Sequence, residues 1–310
     1  MTAAAFAAVC DGLAGGRLSG QLAVAISGGP DSLALLILAH AAYGERVVAL
    51  TVDHGLRAES AGEAAMVASV CAARGIFHTT LVWRGDKPAA NVQAAARDAR
   101  YALMRDHCVA HGIAWLATGH HADDQAETLL MRLARGSGTG GLSGIRARRD
   151  LGEGVTLLRP LLEMRRADLR AIVDAAGLAP VDDPANRSPA YDRTAARALL
   201  AGTPWLDAAR LADAAAHLGE AEAALAWTAD LAWDSRAEIG ETVVLEVVGL
   251  PAELRRRFVT RALAHFGAAL RGPETDRLIA RLAGGETATL GGVQARGGDR
   301  WTFRRARSRI

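Results

Sequence analysis

A chain of 310 residues, half of them hydrophobic, has room for two domains and a sizeable core, and none of its apolar runs approaches a membrane span. Cys10, Cys71 and Cys108 form neither a CxxC pair nor an even disulfide set, which argues against a structural zinc or a cysteine-held cluster and fits a reducing cytoplasm. The net charge of +2 hides an asymmetry: residues 251–310 hold 13 Arg against five acids, an excess of +8 that leaves 1–250 at −6, and this suits a polyanion partner unless it reflects the composition bias that the many alanines also suggest.

In chain order, Met1 to Val9 is apolar but lacks a basic flank, so no secretory signal is expected. The apolar run Ala23 to Ile26 ends in Ser27-Gly28-Gly29-Pro30-Asp31-Ser32, and a helix-competent run, Leu33 to Ala42, follows at once. This predicts a buried parallel strand, a tight turn and a helix N-terminus. Gly28 and Gly29 permit close backbone approach, Pro30 suits a first helical position, and free N–H groups beside the Ser27 and Ser32 hydroxyls suit a phosphate. A carboxylate beside phosphates repels them unless a cation intervenes, so Asp31 is read as a Mg²⁺ holder. The turn is not a Walker A loop, because no Gly-Lys-Ser/Thr occurs and the chain's single lysine is Lys87.

Arg46 to Asp53 predicts a second buried strand, ending in Asp53-His54-Gly55-Leu56-Arg57. A helix over 59–74, a strand over 78–83, a long helix over 91–111 capped by Asn91, a strand over 113–118 and a helix over 122–135 follow. Strands alternating with helices predict a doubly wound parallel sheet, and in such sheets ligands lie at the strands' C-terminal ends. The segments at Ser27, Asp53 and Gly119 all fall there.

Gly119-His120-His121-Ala122-Asp123-Asp124-Gln125-Ala126-Glu127-Thr128 follows the fourth strand. On a helix His120, Asp124 and Glu127 share one face, which suits Mg²⁺ or a cationic substrate; a helix start with acids favoured by the macrodipole would explain the acids but not two adjacent histidines. The glycine-rich run 135–144 is a lid, an RNA-facing loop or a plain connection. A strand over 155–158, a helix over 165–176, a turn cluster over 181–186 and the charged run 191–197 complete this part. Residues 206–235 are helical, with Trp227 and Trp233 expected in the core. A short strand over 242–247 and helices over 251–266 and 273–282 precede β-like pieces with Gly-Gly turns over 287–305.

The Ser-Gly-Gly-Pro-Asp-Ser turn is similar to the signature of the PP-loop ATP pyrophosphatases, which split ATP into AMP and pyrophosphate. Together with Val52-Asp53-His54-Gly55-Leu56-Arg57, the run from Asn91 through Arg97-Asp98-Ala99-Arg100-Tyr101, the segment 118–128, Arg135-Gly136-Ser137-Gly138 and Arg159-Pro160-Leu161-Leu162, it resembles one branch, the tRNA(Ile)-lysidine synthetases. The resemblance covers about residues 20–200 and is looser beyond. It departs at Ala185, where the branch usually has serine, and at Thr194, where it usually has asparagine.

The resemblance implies a PP-loop ATP-binding catalytic domain over 1–205 and a smaller, mainly helical, basic tRNA-binding domain over 206–310. It implies joining L-lysine to C2 of the wobble cytidine of a tRNA(Ile) with a CAU anticodon, through an adenylated cytidine, giving AMP and pyrophosphate. The implied ATP-binding set is Ser27, Gly28, Gly29, Pro30, Asp31, Ser32, Asp53 and His54, with Mg²⁺ on Asp31. Asp31, Arg100, His120, Asp124 and Glu127 are the implied catalytic set, Asp124 and Glu127 the lysine-binding pair, and Arg193 and Arg197 the tRNA contacts. The expected setting is the cytoplasm, with no membrane, and a homodimer is compatible. Two rival readings share the first motif: another PP-loop tRNA-modifying enzyme such as a thiolase, which commonly needs paired cysteines, and an RNA-binding protein without catalysis, against which the intact acids argue.

Overall fold

The computed structural model describes residues 1–55, 60–85, 87–88, 90–181, 192–270 and 272–306. Leu56 and Arg57, most of the turn cluster with its Ala185 departure, and Tyr191 lie outside the described residues. The chain divides into two compact units, Met1–Gly219 and Glu220–Ile310.

The first unit runs α1 (Ala3–Ala14), β1 (Leu22–Ala25), α2 (Pro30–Tyr43), a 3-10 turn (Gly44–Arg46), β2 (Val47–Asp53), α3 (Ser60–Ala72), β3 (Phe77–Val82), α4 (Val92–Ala110), β4 (Trp115–Ala117), α5 (Ala122–Ala134), the single turn α6 (Thr139–Leu142), β5 (Arg148–Asp150), β6 (Thr156–Leu158), α7 (Arg166–Ala175) and α8 (Asp192–Gly202). Then α9 (Ala208–Arg236) crosses the unit boundary. The six strands order as β3-β2-β1-β4-β6-β5, all parallel except β5, which pairs antiparallel with β6 at the edge. Val24 on β1 sits between Ala49 on β2 and Ala117 on β4. The sheet order reverses direction at β1 and β4, the crevice where such folds take ligands.

Burial explains the pattern. Leu22, Ala23 and Val24 are all buried, because helices cover both faces of β1. One core layer joins Phe6 of α1, Leu33 and Leu36 of α2, Val67 of α3 and Leu169 of α7; the other joins Tyr101 and Met104 of α4 to Leu116 and Leu157. The doubly wound parallel sheet expected from the sequence is therefore present. The segment 1–9, read only for targeting, forms most of α1, and its Phe6 ring meets Tyr43 edge-on at 6.3 Å. Asn91 precedes α4 but makes no side-chain cap bond, since its left-handed backbone (φ 56°) turns the side chain away from the first-turn N–H groups.

The second unit holds the end of α9, then β7 (Ala237–Glu238), β8 (Thr242–Glu246), α10 (Ala252–His265), α11 (Gly272–Ala283), β9 (Thr287–Leu290), β10 (Val293–Arg296) and β11 (Arg300–Arg305). Its helices pack on a five-stranded antiparallel sheet of order β7-β8-β11-β10-β9 around Phe258, Trp301 and Phe303. The β-like pieces of the sequence are its hairpin strands. Trp233 is 3% exposed and meets Phe258 at 5.1 Å, whereas Trp227, expected in the core, is 66% exposed. Six residues apart on one helix, the two point to different faces, and only the face of Trp233 meets the sheet.

Candidate active site

The turn after β1 is built by its own side chains. Ser32 Oγ donates to Gly29 O (2.9 Å) and accepts from Ser27 N (3.2 Å), which folds the turn back over the first residues of α2. Gly28 adopts φ +83°, and a Cβ there would meet Met66 and Val181 methyls at 3.1 Å, so both conformation and space demand glycine. Gly119, after β4, comes so near that a Cβ would stand 2.8 Å from Asp31 O. That approach sets the β4–α5 loop against the N-terminus of α2, whose first turn presents free N–H groups. Asp31 Oδ1 is buried there without a hydrogen-bond partner among the described residues.

His121 links this turn to α5. The imidazole is 1% exposed; Nε2 lies 3.4 Å from Asp31 Oδ2 and 3.6 Å from Asp124 Oδ2, and Nδ1 lies 3.5 Å from Asp123 Oδ2. Burial opposes a charge on the ring, but Asp123, Asp31 and Asp124 outweigh it and lift the imidazole to about 9. His121 is thus a cation that lets three carboxylates approach one another. The same imidazole, with Arg166 N donating to Oδ2 at 2.9 Å, holds Asp123 well below the ordinary carboxylate range. Asp124 goes the other way: burial raises it, although it accepts from His121 N at 3.2 Å.

Glu127, one turn further along α5, is 1% exposed and surrounded by arginine. Its Oε1 accepts from Arg166 Nη2 (3.0 Å) and Arg197 Nε (2.9 Å), while among the described residues Oε2 has only longer contacts of 3.4 Å, with Arg197 Nη2 and Arg193 Nε. One carboxylate therefore joins α5 to α7 and α8.

His120 lies before the His121 N-cap and is not on α5, so it does not share a helical face with Asp124 and Glu127 as the spacing predicts. Its Nδ1 pairs with Thr118 Oγ1 at 3.0 Å. Burial, then Arg159, Arg97, Arg100 and Arg193, push the imidazole down to about 2, so it is neutral at any working pH. Asp53 accepts from Gly55 N at 2.8 Å after β2; His54 sets its ring edge-on to Trp83 at 6.0 Å and leaves Nδ1 buried without a hydrogen bond among the described residues. Burial, and after it the charge of Arg100, lower the His54 imidazole below its ordinary value.

The structure thus brings Asp31, Asp124 and the Ser27–Ser32 turn together through His121, a residue outside the expected site list. The doubled histidine beside two aspartates was the signal for it, but which of the two faces the acids depends on the loop that enters α5. Asp123 and Arg166 were also missed. Arg193 and Arg197, expected to face tRNA, both engage Glu127. The glycine-rich run is tied down: Arg132 donates to Gly141 O and Gly144 O (2.6 and 2.8 Å), and Gln125 exchanges two bonds with the Ile145 backbone. Among the described residues no cluster of three or more His, Cys, Asp or Glu has metal-holding geometry.

Comparison with known proteins narrows what such a site does. A PP-loop domain model matches residues 5–202. A tRNA(Ile)-lysidine synthase of Novosphingobium aromaticivorans is 47% identical over 93% of this chain and 90% of its own. One from Zymomonas mobilis is 44% identical over 95% and 91%. Among solved structures, the U34-tRNA thiolase NcsA of Methanococcus maripaludis, with its [4Fe-4S] cluster, is similar in fold: TM-score 0.57 at 18% identity, over 70% of this chain and 79% of that one.

Proposed function

Because the chain belongs to the tRNA(Ile)-lysidine synthases, a branch of the PP-loop proteins, we propose that its crevice carries out the two half-reactions of that activity. The protein is an ATP-dependent ligase that joins L-lysine to C2 of the wobble cytidine of tRNA(Ile). Cytosine C2 is a poor electrophile and its oxygen a poor leaving group. In the first half-reaction cytidine O2 attacks the ATP α-phosphorus, and the bond to pyrophosphate breaks. In the second the lysine ε-amine attacks C2, and the C2–O2 bond breaks to release AMP.

The leaving pyrophosphate is received by the turn Ser27, Gly28, Gly29, Pro30 and Ser32, whose N–H groups and helix N-terminus favour negative charge. Asp53 and His54, at the end of β2, flank the nucleotide. A Mg²⁺ ion fits Asp31: its buried Oδ1 lacks a partner, a carboxylate oxygen is the hard donor this ion prefers, and the ATP phosphates and water would complete the shell. Held by Asp31, such an ion would offset charge on the phosphates. Arg100 and the neutral imidazole of His120 face the α-phosphate and the base.

Lysine must enter as an ammonium and react as an amine. Asp124, whose raised affinity for protons suits it to take one, is the base. Glu127 supplies the second charge through Oε2, whose arginine contacts among the described residues are the longer ones, as Arg193 gives way. Arg193 and Arg197 then turn toward tRNA with Arg-rich 206–310, the proposed tRNA-binding part. The reading sets the reaction in the cytoplasm, where mature tRNA is found; the three cysteines are free and buried, and no helix among the described residues is long and apolar enough to cross a membrane. A homodimer is a further expectation, read by sedimentation. The thiolase alternative is not favoured.

The observation that carries this reading is the identity over nine-tenths of the chain, joined to a phosphate turn and an amine-competent acid in one crevice. Mass analysis of nucleosides from tRNA(Ile) incubated with protein, ATP and lysine tests it. Lysidine should form only with all three, with one pyrophosphate per lysidine; pyrophosphate release without tRNA, or an unmodified cytidine, would refute it.

A further inference from the structure

Four arginines converge on a side chain that the reaction above does not use. Tyr101 is buried within the layer formed by Met104, Leu116 and Leu157. Around its ring centroid stand the guanidinium carbons of Arg97 at 5.2 Å, Arg100 at 5.5 Å and Arg149 at 5.7 Å, and the Arg159 guanidinium lies against its hydroxyl. Arg97 and Arg100 come from α4, Arg149 from β5 and Arg159 from the end of β6. No carboxylate among the described residues lies within ion-pair distance of any of the four, whereas neighbouring Arg166, Arg193 and Arg197 share Glu127. The charge is graded in depth: Arg97 and Arg149 are exposed, Arg100 is half-buried, and Arg159 is 4% exposed.

Like charges gathered without an acid repel one another, so something else must hold them. An aromatic face attracts guanidinium groups through its quadrupole. The Tyr101 hydroxyl and Arg159 Nε are both buried without a hydrogen bond among the described residues, although they lie side by side. Arg159 Nε can only donate, and the Tyr101 hydroxyl can donate while it accepts, so an anionic oxygen would satisfy both. The triphosphate already has the Ser27–Ser32 turn, and guanidiniums spread over α4, β5 and β6 exceed the need of one α-phosphate. An extended chain of phosphates matches their spread, with Arg100 at its inner end.

We infer that Tyr101 is a positioning residue: its ring gathers Arg97, Arg100 and Arg149, and its hydroxyl orients Arg159, into a preformed track for consecutive phosphates of the RNA strand that carries the target base. This rests on the lysidine reading, so wild-type lysidine formation is the first arm of the test. Tyr101→Phe keeps the ring and should leave the tRNA KM within about threefold of wild type; Tyr101→Leu should raise it about tenfold and raise the ATP KM by less, since Arg100 is the member of the group that also faces the α-phosphate. Arg149→Ala should lower the slope of log affinity for tRNA against log salt by about one, and should add nothing in the Tyr101→Leu background. A folded Tyr101→Leu variant with a wild-type tRNA KM, or one in which only the ATP KM rises, overturns the inference. So does a Tyr101→Phe variant as weak as Tyr101→Leu. If Tyr101→Leu does not fold, Arg149→Ala alone decides, and an unchanged salt slope overturns the inference. Failure of the wild type to form lysidine would instead refute the underlying reading.

Discussion

At the scale of residues, the crevice separates two adjacent histidines into opposite charge states. His121, among three carboxylates, is held as a cation; His120, among arginines, is held neutral. The His120 shift has a thermodynamic consequence. Below pH 6.5 the unfolded chain binds a proton on His120 that the folded chain refuses, so this group's stability contribution is present above that pH and lost as pH falls. Between pH 7 and pH 5 the loss attributable to His120 is about 2 kcal/mol. Urea melts of wild type and His120→Asn should differ by that much in their pH response; parallel curves would contradict the assigned environment. Asp31→Ala should abolish tRNA-dependent pyrophosphate release while folding survives, since Oδ1 has no partner among the described residues and His121 keeps Asp123 and Asp124 when Oδ2 is lost. Normal release would remove Asp31 from the phosphate site. Asp124→Asn should raise the lysine requirement for lysidine formation more than it weakens ATP, because an ammonium needs an anionic partner and ATP does not. An effect on ATP alone would make Asp124 a metal or structural group.

At the scale of elements, Glu127 behaves as a joint. Three guanidiniums from α7 and α8 meet on one buried carboxylate of α5. Glu127→Gln keeps the shape but leaves that cluster without its counter-charge, and such a loss typically costs about 3–5 kcal/mol when the pair is buried. Arg166, Arg193 and Arg197 are partly exposed, so the lower end, about 3 kcal/mol or less, is expected in denaturant unfolding. Lysine use should fall as well; a variant with unchanged stability and unchanged lysine dependence would assign Glu127 neither role. Gly119 is the other joint. A methyl group there would press on Asp31 O at 2.8 Å, so Gly119→Ala should displace the α2 N-terminus and lower pyrophosphate release while leaving the sheet intact by circular dichroism.

At the scale of the whole molecule, each unit has its own core, and the basic excess lies in the second. Five of its arginines, Arg256, Arg257, Arg261, Arg281 and Arg300, are ion-paired with acids of the same unit. Arg296, Arg304 and Arg305, on β10 and β11, are exposed and have no ion pair among the described residues. These three are therefore a part of the excess available to an external polyanion. Replacing all three by Gln should weaken tRNA binding and reduce its salt slope by up to about three, with ATP binding unaffected. An unchanged slope would return the excess to compositional bias.

The sequence by itself determined the sheet, the tight turn after β1 and the family, because each is written in local patterns of contiguous residues. Alternating apolar strands and helices, Ser27 to Ser32 at a strand's end, and the His-His-Ala-Asp-Asp run are local patterns whose physical meaning survives without coordinates. It misassigned what depends on direction in space. Helical spacing groups His120 with Asp124 and Glu127, yet α5 begins after it; the apolar context places Trp227 in the core, yet its face of α9 is exposed. Only the tertiary structure decided which charges meet. Glu127 and Arg197 stand 70 positions apart, and Tyr101 and Arg159 come from different elements. Charge pairing is set by distance and burial, neither of which is encoded at any single position, so the partners of each ionisable group emerge only when the helices dock on the sheet.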